Sequence, residues 1–314
     1  MIYRIYSDFL KQKYGEKVYK LPINLPVTCP NKEEGRGCTF CSDLGTGFEA
    51  MSSKVNVRKQ LEQTMEKIER KYKAHKFIAY FQNYTNTYLP LSQFEKYVLE
   101  AAETDNIVEL SISTRPDCIH EKYLQVLSQI KKEYGKNITI ELGLQTANYH
   151  TLSKINRGHG LAEFLGAVLS IEKYGFDICV HLIPNLPFDT LEDVVETAKI
   201  ISVLPISQVK LHSLYIACGT EMAAQYENGE IQIGTKEDYY KRLAQFLIHL
   251  RDDIVIERLF SRIPEEDSLF SNWGISWWKC QEEFLSYMNK HDLYQGKMYK
   301  AQGKLLEQAG FPQQ

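Results

Sequence analysis

Cys29, Cys38 and Cys41 fall in one short stretch, Thr28-Cys29-Pro30-Asn31-Lys32-Glu33-Glu34-Gly35-Arg36-Gly37-Cys38-Thr39-Phe40-Cys41, with the spacing C-x8-C-x2-C. Thiolates hold zinc and iron-sulfur clusters alike, so the ligand count has to discriminate. A closed structural zinc site takes four ligands. The next thiol, Cys118, lies far along the chain, and no histidine, His75 included, forms a pair at metal-ligand spacing. Three thiolates instead suit a 4Fe-4S cluster with one iron left open to coordinate a substrate or cofactor. A further reading is three small apolar side chains in a core. Against it stand Gly35 and Gly37, which let the loop wrap closely around a ligand, and the charged Lys32, Glu33, Glu34 and Arg36. Cluster, zinc and packing all remain open at this point. Cys118, Cys179, Cys218 and Cys280 read as ordinary packing thiols, since a second cluster would need at least three of them to converge.

Chemistry of this kind needs a scaffold that brings distant loops together, and the hydrophobic pattern supplies one. Short β-rich runs at Leu21–Thr28, Phe77–Gln82, Ile107–Ser113, Ile138–Leu144, Ile178–Ile183 and Val209–Leu214 read as strands. They alternate with segments of helical apolar spacing at Val57–Tyr72, Phe94–Ala102, Tyr123–Ile130, Phe164–Tyr174, Leu191–Ile201 and Tyr239–Leu250. Six β-α units in succession imply a parallel sheet covered by helices. No Gly-x-Gly-x-x-Gly follows the first strand, so a closed or partly closed barrel gains weight over a dinucleotide-binding open sheet. In either architecture the reactive groups sit just past the C-terminal ends of the strands, where the cysteine loop lies. His181, Lys210 and His212 fall within strands, and Tyr215 at the end of the sixth; each is either a satisfied core residue or a pocket residue. The alternation stops after about Glu257. Residues 1–255 therefore read as a barrel domain with its core at 21–255, and 256–314, which hold all three tryptophans, as an extension packing on it.

The 314 residues are 44% hydrophobic and 25% charged, which fits a globular chain of one large domain or two modest ones. With 37 basic and 40 acidic side chains the net charge is -3, so a polyanion would have to bind through a local patch. One candidate is Lys54–Lys76, where Lys54, Arg58, Lys59, Lys67, Arg70, Lys71, Lys73 and Lys76 stand against Glu62, Glu66 and Glu69. A solvated helix face accounts for it equally simply. Another is Trp273, Trp277, Trp278 and Lys279 followed by Lys290, Lys297, Lys300 and Lys304, which could stack a splayed base or merely seal the barrel. No apolar stretch approaches the roughly 18–20 residues that cross a bilayer. The early Arg4, Asp8, Lys11 and Lys13 are unlike a signal peptide, so a cytoplasmic location with reduced thiols and no membrane partner is expected.

The cysteine loop and a series of ordered motifs resemble the radical S-adenosylmethionine (radical SAM) superfamily, although its commonest spacing is C-x3-C-x2-C. The longer loop is similar to that of the elongator catalytic subunit and of the small bacterial YtqA/YhcC-type proteins. The agreeing segments are Ser113-Thr114-Arg115-Pro116-Asp117-Cys118, Gly143-Leu144-Gln145-Thr146, Asn156-Arg157-Gly158-His159, His181-Leu182-Ile183-Pro184-Asn185-Leu186-Pro187 and Cys218-Gly219-Thr220. Lys17-Val18-Tyr19-Lys20-Leu21-Pro22 points to the YtqA/YhcC-type group. The resemblance implies an α/β fold, a partial (β/α)6 TIM-like barrel with a C-terminal extension. It also implies a 4Fe-4S cluster on Cys29, Cys38 and Cys41, whose open iron chelates SAM and whose electron cleaves it to methionine and a 5'-deoxyadenosyl radical. Phe40 would shield the cluster. Tyr80-Phe81-Gln82 stands where the superfamily has Gly-Gly-Glu, so only main-chain contacts near Gln82 carry over. Gln145 would bind the SAM ribose, Arg157 its carboxylate, and Ser113 would be a second polar contact. A solvated helix cap is the alternative for Gln145, and a surface ion pair for Arg157. His181, Lys210, His212 and Tyr215 would face substrate.

The same resemblance implies tRNA as partner, a donor such as flavodoxin or ferredoxin, and chemistry at C5 of wobble uridine. The expected reaction converts 5-carboxymethylaminomethyl-2-thiouridine to 5-aminomethyl-2-thiouridine. Acetyl-coenzyme A chemistry is not expected, because no acetyltransferase segment follows the barrel. The rival readings are a radical SAM enzyme acting on a small molecule or peptide, and a non-catalytic metal-containing RNA-binding module, which the missing Gly-Gly-Glu favours.

Overall fold

The computed structural model describes residues 2–42 and 50–299. In chain order the elements are α1 (Tyr6–Tyr14), β1 (Val18–Ile23), α2 (Pro30–Glu33), α3 (Val57–Tyr72), β2 (Lys76–Phe81), α4 (Leu91–Ala102), β3 (Ile107–Thr114), α5 (Glu121–Tyr134), β4 (Asn137–Gln145) and α6 (Tyr149–Lys154). They continue with α7 (Leu161–Glu172), β5 (Asp177–Leu182), α8 (Leu191–Val203), β6 (Gln208–Leu211), β7 (Ile216–Ala217), α9 (Glu221–Glu227), α10 (Lys236–His249), β8 (Val255–Arg258), β9 (Ser268–Phe270) and α11 (Trp277–Lys290). Seven strands form one parallel sheet in the order β1-β2-β3-β4-β5-β6-β8, and β7 pairs antiparallel with β9 in a separate ribbon.

Strand alternation divides the sheet into two chemically different faces. Leu21, Ile23, Ala79, Phe81, Leu110, Ile112, Ile140, Leu142, Val180 and Val209 are fully or almost fully buried in one core beneath the helices. The intervening Lys20, Tyr80, Ser111, Glu141, His181 and Lys210 point the other way and touch one another. Contacts of this kind between β1, β4, β6 and β8 require the sheet to curl. Lys20 Nζ on β1 lies 2.6 Å from Glu141 on β4 and 2.6 Å from Glu257 on β8, which joins the two edge strands across the interior. The result is the expected α/β half-barrel, carrying a seventh strand beyond the six read from the sequence.

Two local features set its ends. The strand expected at Leu21–Thr28 begins earlier and stops at Ile23, because the Gln60 side chain takes both the N–H and the C=O of Asn24 (2.9 Å each) and ends the ladder. At the opposite end α1 closes the barrel floor: Lys13 Nζ bonds Glu109 at 3.1 Å and Asp177 at 2.9 Å, and Tyr14 donates to Glu109 at 2.5 Å. Just ahead of α1, Ile5 forms a parallel bridge with Ile256, and the Gln295 side chain bonds the backbone of Arg4, Arg251 and Ile254. Helices start where short polar side chains cap them, as at Asn56 for α3 and in the Thr190/Asp193 and Thr235/Asp238 boxes of α8 and α10. Among the described residues no helix is long and apolar enough to cross a membrane.

Candidate active site

The cysteine loop leaves β1 through a coil and is pinned to the barrel rim by backbone and side-chain bonds. Thr39 N–H donates to Ile155 O (3.0 Å), Met222 N–H to Thr39 O (2.8 Å), Asn156 Nδ2 to Gly37 O (2.7 Å) and Asn31 Nδ2 to Asn156 O (2.7 Å). The Asn156-Arg157-Gly158-His159 segment is thus the clamp of the loop. Gly158 has φ +75°, and a Cβ there would meet Asn31 Oδ1 at 2.8 Å, so only glycine lets the two segments seat. Phe40, packed against a second apolar cluster that holds Ile183, Leu214 and Met222, anchors the loop to the barrel rim.

Cys38 is buried, Cys29 half-buried and Cys41 exposed. Arg157 Nη1 reaches Cys38 Sγ at 3.4 Å, and Arg115 Nη1 reaches Cys29 Sγ at 3.8 Å. A hydrogen bond from Cys41, aided by the Arg157 and Arg115 charges, holds the Cys38 thiol well below its ordinary value, while its partner Cys41 is pushed up. Arg115 is itself fixed by a two-pronged pair with Asp117 (2.9 and 2.7 Å) and donates to Arg157 O at 2.9 Å. Burial works against the Asp117 charge, but Arg115 outweighs it and keeps the carboxyl below the usual range.

These thiols open on a cavity of about 990 Å³ inside the barrel mouth. Cys29, Cys38, Phe40, Cys41, Gln82, Ser113, Gln145, Arg157, His181, Lys210, His212 and Tyr215 all line it, so the structure gathers every site residue expected from sequence on one surface. Gln145 is the last residue of β4, with φ +80° at a bulge opposite β5; it caps no helix, since Asn148 caps α6. A non-glycine residue held in the left-handed region at a strand end marks a position whose side-chain direction is imposed by its surroundings. Arg157 is buried rather than a surface ion-pair member: its Nη2 donates to Gly143 O at 2.6 Å, and its Nε has no partner among the described residues. A Cβ at Gly143 would lie 2.6 Å from that Nη2. Three thiols, a spare buried guanidinium N–H and a strand end kept clear of side chain fit a three-thiolate cluster with a polar ligand beside it.

The floor of the cavity was only partly legible in the sequence. His181 and Lys210 stood out there, but Lys20, Glu141 and Glu257 did not. Glu141 is the hub: its side chain is fully buried and accepts from Lys20 (2.6 Å), His181 Nε2 (2.6 Å), Lys210 (3.2 Å) and, through a very short bond, Ser111. Lys210 also bonds Glu257 at 2.8 Å and Tyr80 Oη at 3.0 Å. Burial opposes every charge here, yet Lys20 is raised by Glu141 and Glu257, and Glu141 is lowered by Lys20 and Lys210. Ligand atoms of Glu141, Cys179 and His181 converge within 4.8 Å, but both Glu141 oxygens are already paired with ammonium groups, Lys20 and Lys210. The signal for these residues was a charged side chain inside an otherwise apolar parallel strand, Lys20 in β1 and Glu141 in β4.

Of the other cysteines, Cys118, Cys179 and Cys280 are buried, as packing thiols should be, whereas Cys218 is exposed in the turn after β7. Trp273 packs against Tyr239 and Phe270 and donates to Gly234 O, Trp277 lies at the cavity mouth under Arg262 (3.8 Å), and Trp278 is exposed. Of the lysines that follow, Lys300 and Lys304 lie outside the described residues.

Burial and the Arg258 charge hold His212 well below the usual imidazole value, and burial outweighs Glu141 to hold His181 down as well. Because both rings take up a proton less readily folded than unfolded, stability falls as pH drops through the ordinary imidazole value of about 6.5. Each contributes at most about 1.4 kcal/mol per pH unit, less where the ring opens on the cavity. Urea unfolding at pH 7.5 and 5.5 should show this loss, and it should shrink in a His212→Gln variant; an unchanged pH dependence would contradict a neutral His212.

Residues 23–201 match the radical SAM superfamily, and residues 206–290 match the C-terminal domain of that family. The chain is 32% identical to protein YhcC of Escherichia coli over 91% of this chain and 92% of that protein, and 29% identical to YtqA of Bacillus subtilis over 95% and 93%. It is 26% identical to a tRNA uridine(34) acetyltransferase of Methanocaldococcus infernus over 47% of this chain and 28% of that protein. The structure of M. infernus Elp3 with its N-terminus deleted shares the fold, with a TM-score of 0.68 at 19% identity over 88% of this chain; the chain spans 64% of that structure's length. With the family match covering more than half of the sequence and the thiols gathered at one barrel mouth, the chain belongs to the radical SAM superfamily, whose members work with a 4Fe-4S cluster and SAM.

Proposed function

We propose that this protein is a cytoplasmic tRNA-modifying enzyme that acts on the C5 side chain of wobble uridine, removing the carboxymethyl arm of 5-carboxymethylaminomethyl-2-thiouridine to leave 5-aminomethyl-2-thiouridine. The observation that carries it is the single cavity with three thiols on one wall and a charged, hydrogen-bonding floor below them. Such a space suits a cofactor and a polar substrate arm together, and the relatedness to a tRNA uridine(34) acetyltransferase supports tRNA as the source of that arm.

In this reading Cys29, Cys38 and Cys41 hold the cluster, Phe40 covers it, and Gln82, Ser113, Gln145 and Arg157 hold SAM. When bound, these cofactors supply a carbon-centred oxidant able to take hydrogen from an unactivated C–H bond. The C–H bonds beside the arm's amine and carboxylate are not acidic enough for an ordinary side-chain base, which is why radical chemistry suits them: loss of one hydrogen atom and then one electron and one proton from the arm would give an imine, whose C=N bond water splits to the aminomethyl group and glyoxylate, with SAM as the net oxidant. His181, Lys210, His212 and Tyr215 orient the arm, and the Trp277 side of the mouth excludes water. A reduced flavodoxin or ferredoxin would supply the electron. On the outer flank, ion pairs of Arg58 with Glu103 and of Arg70 with Glu66 leave Lys59, Lys67, Lys71 and Lys73 of the α3 region exposed as a phosphate-binding stripe.

The test is anaerobic incubation of reconstituted protein with SAM, dithionite and tRNA carrying the 5-carboxymethylaminomethyl group. The expected outcome is 5'-deoxyadenosine together with a shift of the nucleoside to the aminomethyl form by mass spectrometry. 5'-Deoxyadenosine with unchanged nucleoside, or no retention of tRNA at low salt, would turn the assignment toward a small-molecule or peptide substrate.

A further inference from the structure

In the charge layer at and beneath the cavity floor the described charges balance with one exception. Lys20 and Lys210 face Glu141 and Glu257, two ammonium groups against two carboxylates, at 2.6 to 3.2 Å. Arg258, at the end of β8, stands outside this balance. Its Nη2 donates to His212 Nδ1 at 2.5 Å, and its Nε is buried without a partner among the described residues. His212 is a poor counter-group, being neutral when it accepts from a guanidinium. Glu141 is the sole carboxylate among the described residues lining the cavity, and four donors already occupy it. A guanidinium that lines a cavity with an unspent N–H and no carboxylate partner is a site for an anion. Tyr215 and the three thiols line the same cavity as Arg258, so an anion held here shares that space with them.

We infer that Arg258, bonded to His212 in the cavity that Tyr215 also lines, binds a carboxylate of the substrate. One uncompensated charge matches one carboxylate, and the planar fork of arginine matches its two oxygens. A nucleic-acid phosphodiester carries the same charge but is tethered to a nucleoside on each side, which disfavours its entry to a floor position. The identity of the carboxylate, the end of the carboxymethyl arm, rests on the function proposed above; the anion site does not.

The experiment uses full-length, anaerobically reconstituted protein with SAM and two probes: 5-carboxymethylaminomethyluridine and its carboxamide. By equilibrium dialysis the wild type should bind the acid about tenfold or more tightly than the carboxamide, the worth of one charge-assisted bond. Arg258→Gln should bring the ratio close to one while leaving carboxamide affinity unchanged; a ratio kept at the wild-type value would overturn the inference. Should Arg258→Gln fail to reconstitute, Arg258→Lys retains the charge without the fork and should lower the ratio severalfold. Should neither nucleoside bind, the uridine reading fails, and acetate, acetamide and dimethyl phosphate at matched ionic strength decide the site. Thermal stabilisation of wild type by acetate, lost in the variant, upholds a carboxylate site for another substrate. Equal stabilisation of both proteins, or stabilisation by dimethyl phosphate instead of acetate, rejects it.

Discussion

Replacing Cys38 by alanine should abolish iron and sulfide binding and with it any formation of 5'-deoxyadenosine. Wild-type protein reconstituted without oxygen should hold about four of each per chain, and the variant close to none. Cys38 is the most sensitive of the three thiols to remove. It is the buried one, it is hydrogen-bonded to Cys41, and it is the thiol to which Arg157 donates. Without it two thiolates remain, half-buried Cys29 and exposed Cys41, too few to hold a cluster. Cys218→Ala is the matching control, because that thiol is exposed in the turn after β7 and should leave the iron content unchanged. Zinc in the wild type, or iron retained in Cys38→Ala, would remove the basis for a three-thiolate cluster and bring forward a non-catalytic metal-containing module.

The largest loss of stability should come from Glu141→Gln. The carboxylate has no exposed surface and accepts from two ammonium groups, an imidazole and a hydroxyl. Glutamine keeps the shape but sets an NH2 donor against other donors and strands one buried positive charge. Removing one member of a buried ion network costs about 3–5 kcal/mol, because the remaining partners stay desolvated. At the ~2–4 °C per kcal/mol typical of larger domains, the midpoint should fall by roughly 6–20 °C in calorimetry. Lys20→Met combined with Glu141→Gln should cost clearly less than the two changes summed, since the stranded charge is then absent. Strict additivity would show that the groups do not act as one network.

How much of this could be read in advance depended on the range of the interaction. The six strand-helix units were visible because each is a local pattern: Val57–Tyr72, for instance, is bounded in the structure as its apolar spacing indicated. The cysteine spacing and the Gln145 and Arg157 segments were visible for the same reason, as contiguous residues of unusual type. What escaped notice depends on partners far apart in sequence. β8 (Val255–Arg258) follows the last helix of the alternation with no further strand-helix unit of the parallel sheet after it, and is recognisable from its pairing with β6. Lys20 and Glu257 look like surface charges until the sheet curls and places them 2.6 Å apart. The early end of β1 follows from a glutamine on α3, which no scan of the strand itself could reveal.

The bridge between Ile5 and Ile256 bears on how the chain is made. Ribosomes add about 5–20 residues per second, so the roughly 250 residues between those positions take on the order of 12–50 s to emerge. Throughout that interval the strands up to β6 can pair locally, but Lys20 and Lys210 lack Glu257, the β6 edge is unpaired, and the staple from Gln295 to Arg4 cannot form. The nascent barrel therefore waits as an open sheet with an unsatisfied charge layer and a bare edge, the state most prone to pairing with a neighbour. Ribosome-bound chains stalled before β8 should accordingly depend on chaperones, and release from that dependence should coincide with the appearance of Val255–Arg258 rather than with completion of the cysteine loop.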